Sequence, residues 1–214
     1  MSSWTNTMPD ATTVLVVVDV QDSFLPGGAL AVPRGDEILP VVNAFSRRFA
    51  NVVLTQDWHP PGHRSFASSH PGRKPFDVIA LDYGEQVLWP DHCVQGTDGA
   101  RLCRDLDVTH AQLVLRKGYH PGVDSYSAFI EADGRTRTGL HGYLCERGIT
   151  SVYVCGLATD FCVAWTELDA RKLGFTATVI EDAACAIDTR GSLAVAWEKM
   201  QRAGVLRIRF DEVA

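Results

Sequence analysis

Long apolar runs are missing from this chain: none exceeds five residues, and VLVVV at Val14–Val18 is typical. A bilayer-spanning helix needs about twenty such residues in a row, so no membrane role is expected. Positive charge is also scarce, with 20 Lys and Arg against 26 Asp and Glu and a net charge of -6. That balance argues against nucleic acid or an anionic membrane surface as the main partner. The six cysteines, Cys93, Cys103, Cys145, Cys155, Cys162 and Cys185, form no C-x-x-C pair and are too sparse for a disulfide scaffold. A reducing, cytoplasmic setting is expected. The opening stretch MSSWTNTMPDATT has neither the basic start nor the apolar centre of a leader. No G-x-G-x-x-G follows the first apolar run, where DVQDSF stands instead, and this tells against a dinucleotide site. Repeats, low-complexity tracts and linkers are lacking too, so residues 1–214 read as one domain.

Six short β-branched runs are present: Val14–Val18, Val52–Thr55, Leu113–Leu115, Ser151–Cys155, Thr176–Ile180 and Val205–Ile208. Most are continuously apolar rather than alternating, as in strands covered on both faces of a parallel sheet. Helical patterns lie between them. Asp36 is placed to cap a helix whose apolar positions are Ile38, Val41, Val42, Phe45 and Phe49, with Pro40 in its first turn. Three later helices should stop at Gly148, Gly174 and Gly204, each followed at once by a strand. The expected fold is α/β: a three-layer αβα sandwich with a six-stranded, mainly parallel, Rossmann-like sheet. One connection, about His59 to His110, is long and rich in Pro, Gly and His, with little periodicity. A loop of that length in a compact domain is usually functional.

In open parallel sheets, sites form beyond the carboxyl ends of the strands. Four expected strands deliver Asp19, then Asp57 and His59, then Lys117, then Cys162 to one sheet edge. Taken alone, each has a bland reading: Asp19 as a turn cap, Lys117 as a solvated strand end, Cys162 as core filler. Together they suggest a Cys–Lys–Asp triad for acyl transfer. A helix N-terminus and the Lys117 ammonium should lower the Cys162 pKa, and Asp19 can carry the thiol proton to a leaving amine. Backbone N–H groups of Ala158 and Cys162 can hold an oxyanion. Substituting Cys162, Asp19 or Lys117 is expected to abolish turnover and leave the fold intact.

Asp57, His59 and His92 make a one-carboxylate, two-imidazole metal set with open positions. His63 is read either as a fourth ligand or as a neighbour of the ligands, the second being favoured. His70, His110, His120 and His141 carry no expected chemistry. Phe24, Trp89 and Tyr126 lie in loops near these motifs and can wall a flat aromatic substrate.

The segments VVDVQDSFLPGGAL, TQDWHPPGHRSFA, WPDHCVQGT, KGYHPGVDSYSAF and VCGLATDFCV occur in this order across about residues 14 to 190. In these the chain resembles the nicotinamidases of the isochorismatase-like cysteine hydrolase superfamily. The resemblance implies a triad of Asp19, Lys117 and Cys162 and a cis peptide between Leu157 and Ala158. It implies one divalent metal ion (zinc, iron or manganese) on Asp57, His59 and His92, and no organic cofactor. Phe24 and Trp89 would sandwich a pyridine ring. The implied reaction turns nicotinamide into nicotinate and ammonia, in NAD salvage, with pyrazinamide as a common second substrate. The partner implied is that small molecule, with a homo-oligomer left open. A related amidohydrolase acting on a carbamoyl or ureido substrate is the alternative, and a non-catalytic zinc scaffold is a third reading.

Overall fold

Valine-rich runs become strands because a β-branched side chain packs well on a pleated surface and loses rotamer freedom in a helix. A computed structural model of the protein describes residues 9–212. The opening segment read for a leader lies in part, Met1–Met8, outside the described residues. In chain order the elements are β1 (Thr13–Val18), α1 (Leu39–Ser46), β2 (Val52–Asp57), β3 (Val78–Leu81), β4 (Gly84–Val87) and β5 (Leu113–Lys117). They continue with α2 (Leu140–Glu146), β6 (Ser151–Leu157), α3 (Ala164–Lys172), β7 (Thr176–Cys185), α4 (Ser192–Arg202) and β8 (Leu206–Ile208). The main sheet runs β5-β2-β1-β6-β7-β8, and every pairing in it is parallel.

Alternate residues of β1 enter two separate cores. Leu15 and Val17 pack with Val42 and Phe45 of α1, while Val14, Val16 and Val18 pack with Leu144 of α2, Ala170 of α3 and Met200 of α4. Burial on both faces explains why the central runs are continuously apolar. Edge strand β5 shows the converse, with Val114 exposed. The three later helices stop as the glycines imply. In each, the residue after the glycine donates back to a carbonyl of the last turn: Ile149 to Leu144 (3.1 Å), Phe175 to Ala170 (3.0 Å) and Val205 to Met200 (2.9 Å). Among the described residues no helix is long and apolar enough to cross a membrane.

Three details depart from the sequence reading. Asp36 caps nothing: it lies inside a 3-10 turn, Gly35–Ile38, that precedes α1, although Pro40 does sit in the first turn of the helix as expected. Phe49 falls beyond the end of α1 although it is buried. The long connection holds a second, antiparallel sheet of β3 and β4 that periodicity did not reveal. Its strands are only four residues each and largely exposed, so they carry little alternating signal.

Candidate active site

Strand register builds the site. In the parallel β2–β5 pair, Asp57 stands directly opposite Lys117, both at the carboxyl ends of their strands. Asp19 follows β1, and its left-handed backbone (φ 48°) marks the point where the chain turns off the sheet. Thr55 of β2 fixes it twice, donating its hydroxyl to Asp19 Oδ1 (2.6 Å) and accepting the Asp19 N–H (3.1 Å). Cys162 lies in a π-helical turn, Thr159–Val163, that opens into α3. The peptide between Leu157 and Ala158 is cis, as the resemblance implies. Gly156 stays within β6. Only a glycine fits, because a Cβ there would sit 2.1 Å from the Val18 carbonyl oxygen.

One atom joins these residues. Lys117 Nζ lies 2.8 Å from Asp19 Oδ2, 3.1 Å from Asp57 Oδ1, 2.8 Å from the Ser125 carbonyl and 3.4 Å from Cys162 Sγ. Lys117 and Asp19 are fully buried and Cys162 is 7% exposed. Burial works against the Lys117 charge, yet the two carboxylates hold its pKa well above the usual lysine value. Burial pushes the Asp19 carboxyl up, with Lys117 pulling it partly back. Burial likewise pushes the Cys162 thiol well up, and Asp19 and Asp57 add to this while Lys117 opposes it. The expectation of a lowered Cys162 pKa is therefore corrected. The Lys117 charge is already shared between two carboxylates, and a desolvated sulfur favours its neutral form. A thiol in this state needs a base, and the raised Asp19 carboxylate beside the same ammonium is suited to take a proton.

Asp57, His59 and His92 form one group of potential ligands. His59 Nε2 lies 3.0 Å and His92 Nε2 3.4 Å from Asp57 Oδ2. Each imidazole uses its other nitrogen on a backbone carbonyl, His59 Nδ1 on Gly118 (2.8 Å) and His92 Nδ1 on Pro90 (2.8 Å). A carbonyl accepts only from N–H, so both Nε2 lone pairs are left for an ion. The donor set thus fits a divalent transition metal. His63 is outside this group but forms a second one with His59 and Asp124. Its Nε2 donates to the His120 and Val123 carbonyls and its Nδ1 accepts from Ser65, so its ring straps two loops together. Gly118 is needed here too: its φ is +68°, and a Cβ would lie 2.6 Å from His59 Cε1.

Phe24, Trp89 and Tyr126 do line one cavity, together with Asp57, His92, Ala158 and Cys162. Trp89 Nε1 donates to Tyr126 Oη (3.1 Å), which fixes both rings. Sequence reasoning missed four residues of this cavity: Leu30, Asp124, Phe161 and Ile187. Phe161 meets Trp89 edge to face at 4.9 Å. Asp124, buried, accepts from Gln86 Nε2 (2.7 Å) and from the Ser125 N–H (2.8 Å). Its position seven residues past Lys117, two before Tyr126 in GVDSYSAF, is the signal available in the sequence.

Known proteins share the sequence pattern and the fold of this chain. Residues 13–209 match the Isochorismatase domain. The chain is 59% identical over 194 residues to a nicotinamidase of Acinetobacter baylyi, with 91% of each chain covered. Among solved structures it resembles an Acinetobacter baumanii nicotinamidase pyrazinamidase with TM-score 0.95 and 58% identity, covering 96% of this chain and 99% of that one. A second is PnC1 from L. infantum in complex with nicotinate: TM-score 0.85, 38% identity, 97% and 98% covered. The pyrazinamidase of Pyrococcus horikoshii, solved with zinc, gives TM-score 0.75 and 36% identity, with 92% and 99% covered. Fold and site define an α/β enzyme with a buried cysteine, ammonium and carboxylate beside a candidate metal group. The chain belongs to the isochorismatase family, whose domain it carries through most of its length.

Proposed function

We propose that the chain, as one catalytic domain, hydrolyses nicotinamide to nicotinate and ammonia through a thioester on Cys162, and accepts pyrazinamide as well. The observation that carries this is the four-way contact of Lys117 Nζ with Asp19, Asp57, Ser125 and Cys162 at the floor of an aromatic-lined cavity. Asp19 takes the thiol proton as the sulfur attacks the amide carbon. Lys117, held as ammonium by its carboxylates, steadies the thiolate as it forms. The N–H groups of Ala158 and Cys162 are assigned to the oxyanion. The C–N bond breaks as Asp19 returns the proton to nitrogen, and ammonia leaves. Asp19 then draws a proton from water, the hydroxide equivalent cleaves the thioester, and the Cys162 thiol is restored. Phe24, Trp89 and Tyr126 hold the ring and exclude water.

Asp57, His59 and His92 would hold one divalent ion, zinc, iron or manganese, which supplies a Lewis-acid anchor for the ring nitrogen. No organic cofactor enters this scheme. An aromatic cavity favours a flat ring over the carbamoyl or ureido substrates of the alternative reading. All six cysteines are unpaired, which supports a reducing, cytoplasmic setting. The test is ammonia release from nicotinamide beside carbamoyl and ureido compounds, before and after chelation with metal add-back. Nicotinamide turnover that falls on chelation and returns with metal supports the proposal. Turnover of the ureido compounds alone, or near-native ammonia release from Cys162→Ala, sinks it.

A further inference from the structure

The substrate cavity is closed on one side by Ile187, in the link between β7 and α4. That link has an unfavourable backbone: Asp188 (φ 51°), Arg190 (φ 54°) and Gly191 (φ 79°) all lie in the left-handed region. Non-glycine residues stay there only where their surroundings hold them. The hold comes from Asp160, two residues before Cys162 and 6% exposed. Its Oδ1 accepts the Ile187 N–H (3.1 Å), and its Oδ2 accepts the Asp188 N–H (2.9 Å) and the Ser192 hydroxyl. One carboxylate in the nucleophile's own turn thus gathers three donors from the segment that carries the cavity wall.

We propose that Asp160 is a positioning residue for substrate binding, which sets Ile187 against the bound ring by clamping residues 187–192 to the Cys162 turn. The inference rests on the nicotinamide reading above. A carboxylate is required because three donors converge on two oxygens. An asparagine offers one acceptor atom and turns an NH2 group toward an N–H. The clamp acts on the wall and not on the sulfur, so its loss weakens binding more than chemistry.

Asp160→Asn, Ile187→Ala and the double variant test this in the full-length, metal-loaded chain. In each single variant KM for nicotinamide should rise roughly tenfold, the weight of one lost apolar wall, while kcat falls less than about threefold. The double variant should bind no more than about twofold worse than the weaker single, because both changes remove the same wall. Alkylation of Cys162, followed by mass spectrometry, should stay within about twofold of native. A KM within about twofold of native in Ile187→Ala overturns the proposal. So does Asp160→Asn with a lowered Tm and an unmoved KM, or with a changed Cys162 alkylation rate. If Asp160→Asn fails to fold, Ser192→Ala removes one donor alone; KM should then rise about threefold, and an unmoved KM overturns the proposal. A native chain that leaves nicotinamide intact overturns the functional reading itself, whereas native turnover with unmoved variants overturns only the role of Asp160.

Discussion

Lys117 balances the charge of the whole site on one buried nitrogen. Its removal strands Asp19 without a counter-charge, whereas Asp57 keeps His59 at 3.0 Å, and an uncompensated buried carboxylate destabilises by about 3–5 kcal/mol. Lys117→Ala should therefore abolish turnover and also lower unfolding free energy by about 3 kcal/mol, read from urea midpoints. Cys162→Ala removes one sulfur and should cost about 1 kcal/mol or less while still abolishing turnover. The contrast separates a residue that balances buried charge from one that supplies only a sulfur, with both variants still folded; an unchanged midpoint in Lys117→Ala would refute it. Gly118 is a second single-residue constraint. A methyl group there meets His59 Cε1 at 2.6 Å and Asp57 Oδ1 at 2.9 Å. Gly118→Ala should loosen metal retention about tenfold or more, measured by competition with a chelator. Native retention would show that these two side chains do not hold the ion.

At the scale of elements, β1 and β6 must lie close enough for their ends to share one site. Gly156 allows this, since a Cβ would overlap the Val18 carbonyl, one residue before Asp19, and its φ is +113°. Gly156→Ala combines overpacking with a strained backbone and should cost about 3 kcal/mol or more by thermal melting, with loss of activity as Asp19 shifts. A melt within a degree or two of native would mean that the strands part without penalty. The reason for this glycine is hidden from the sequence, because a close approach between two strands leaves no mark on either one. The six sheet strands were legible since burial on both faces writes a continuous apolar run. Asp19, Lys117 and Cys162 were legible since strand ends point to a common edge. Asp124, Phe161 and Ile187 were not: they come from loops and one irregular turn, whose path no period encodes. The Cys162 pKa was misjudged for a related reason. A helix start and a lysine can be read from order, but the depth of burial and the second carboxylate on Lys117 come only from packing.

At the scale of the whole molecule, a buried carboxyl group outside the reaction sets a pH dependence of its own. Glu167 of α3 is fully buried, and among the described residues neither carboxyl oxygen has a hydrogen-bond partner. Burial pushes its pKa well above the usual carboxylate value, and Arg171 and the Thr178 backbone only partly offset this. In the unfolded chain it titrates near about 4.3. Between those two values the folded state binds the extra proton, so rising pH draws the equilibrium toward unfolding through this window. Below the unfolded pKa both states are protonated and the penalty vanishes. Glu167→Gln keeps the shape and removes the titration. Its stability relative to the native chain should therefore increase with pH from 5 to 7, by up to about 1.4 kcal/mol per pH unit. Urea midpoints of both proteins at three pH values, at one metal concentration, measure this difference. A constant gap would mean that Glu167 is ionised in the fold and finds a partner through water. A widening gap identifies the core under α3, and not the active site, as one source of stability lost as pH rises through this window.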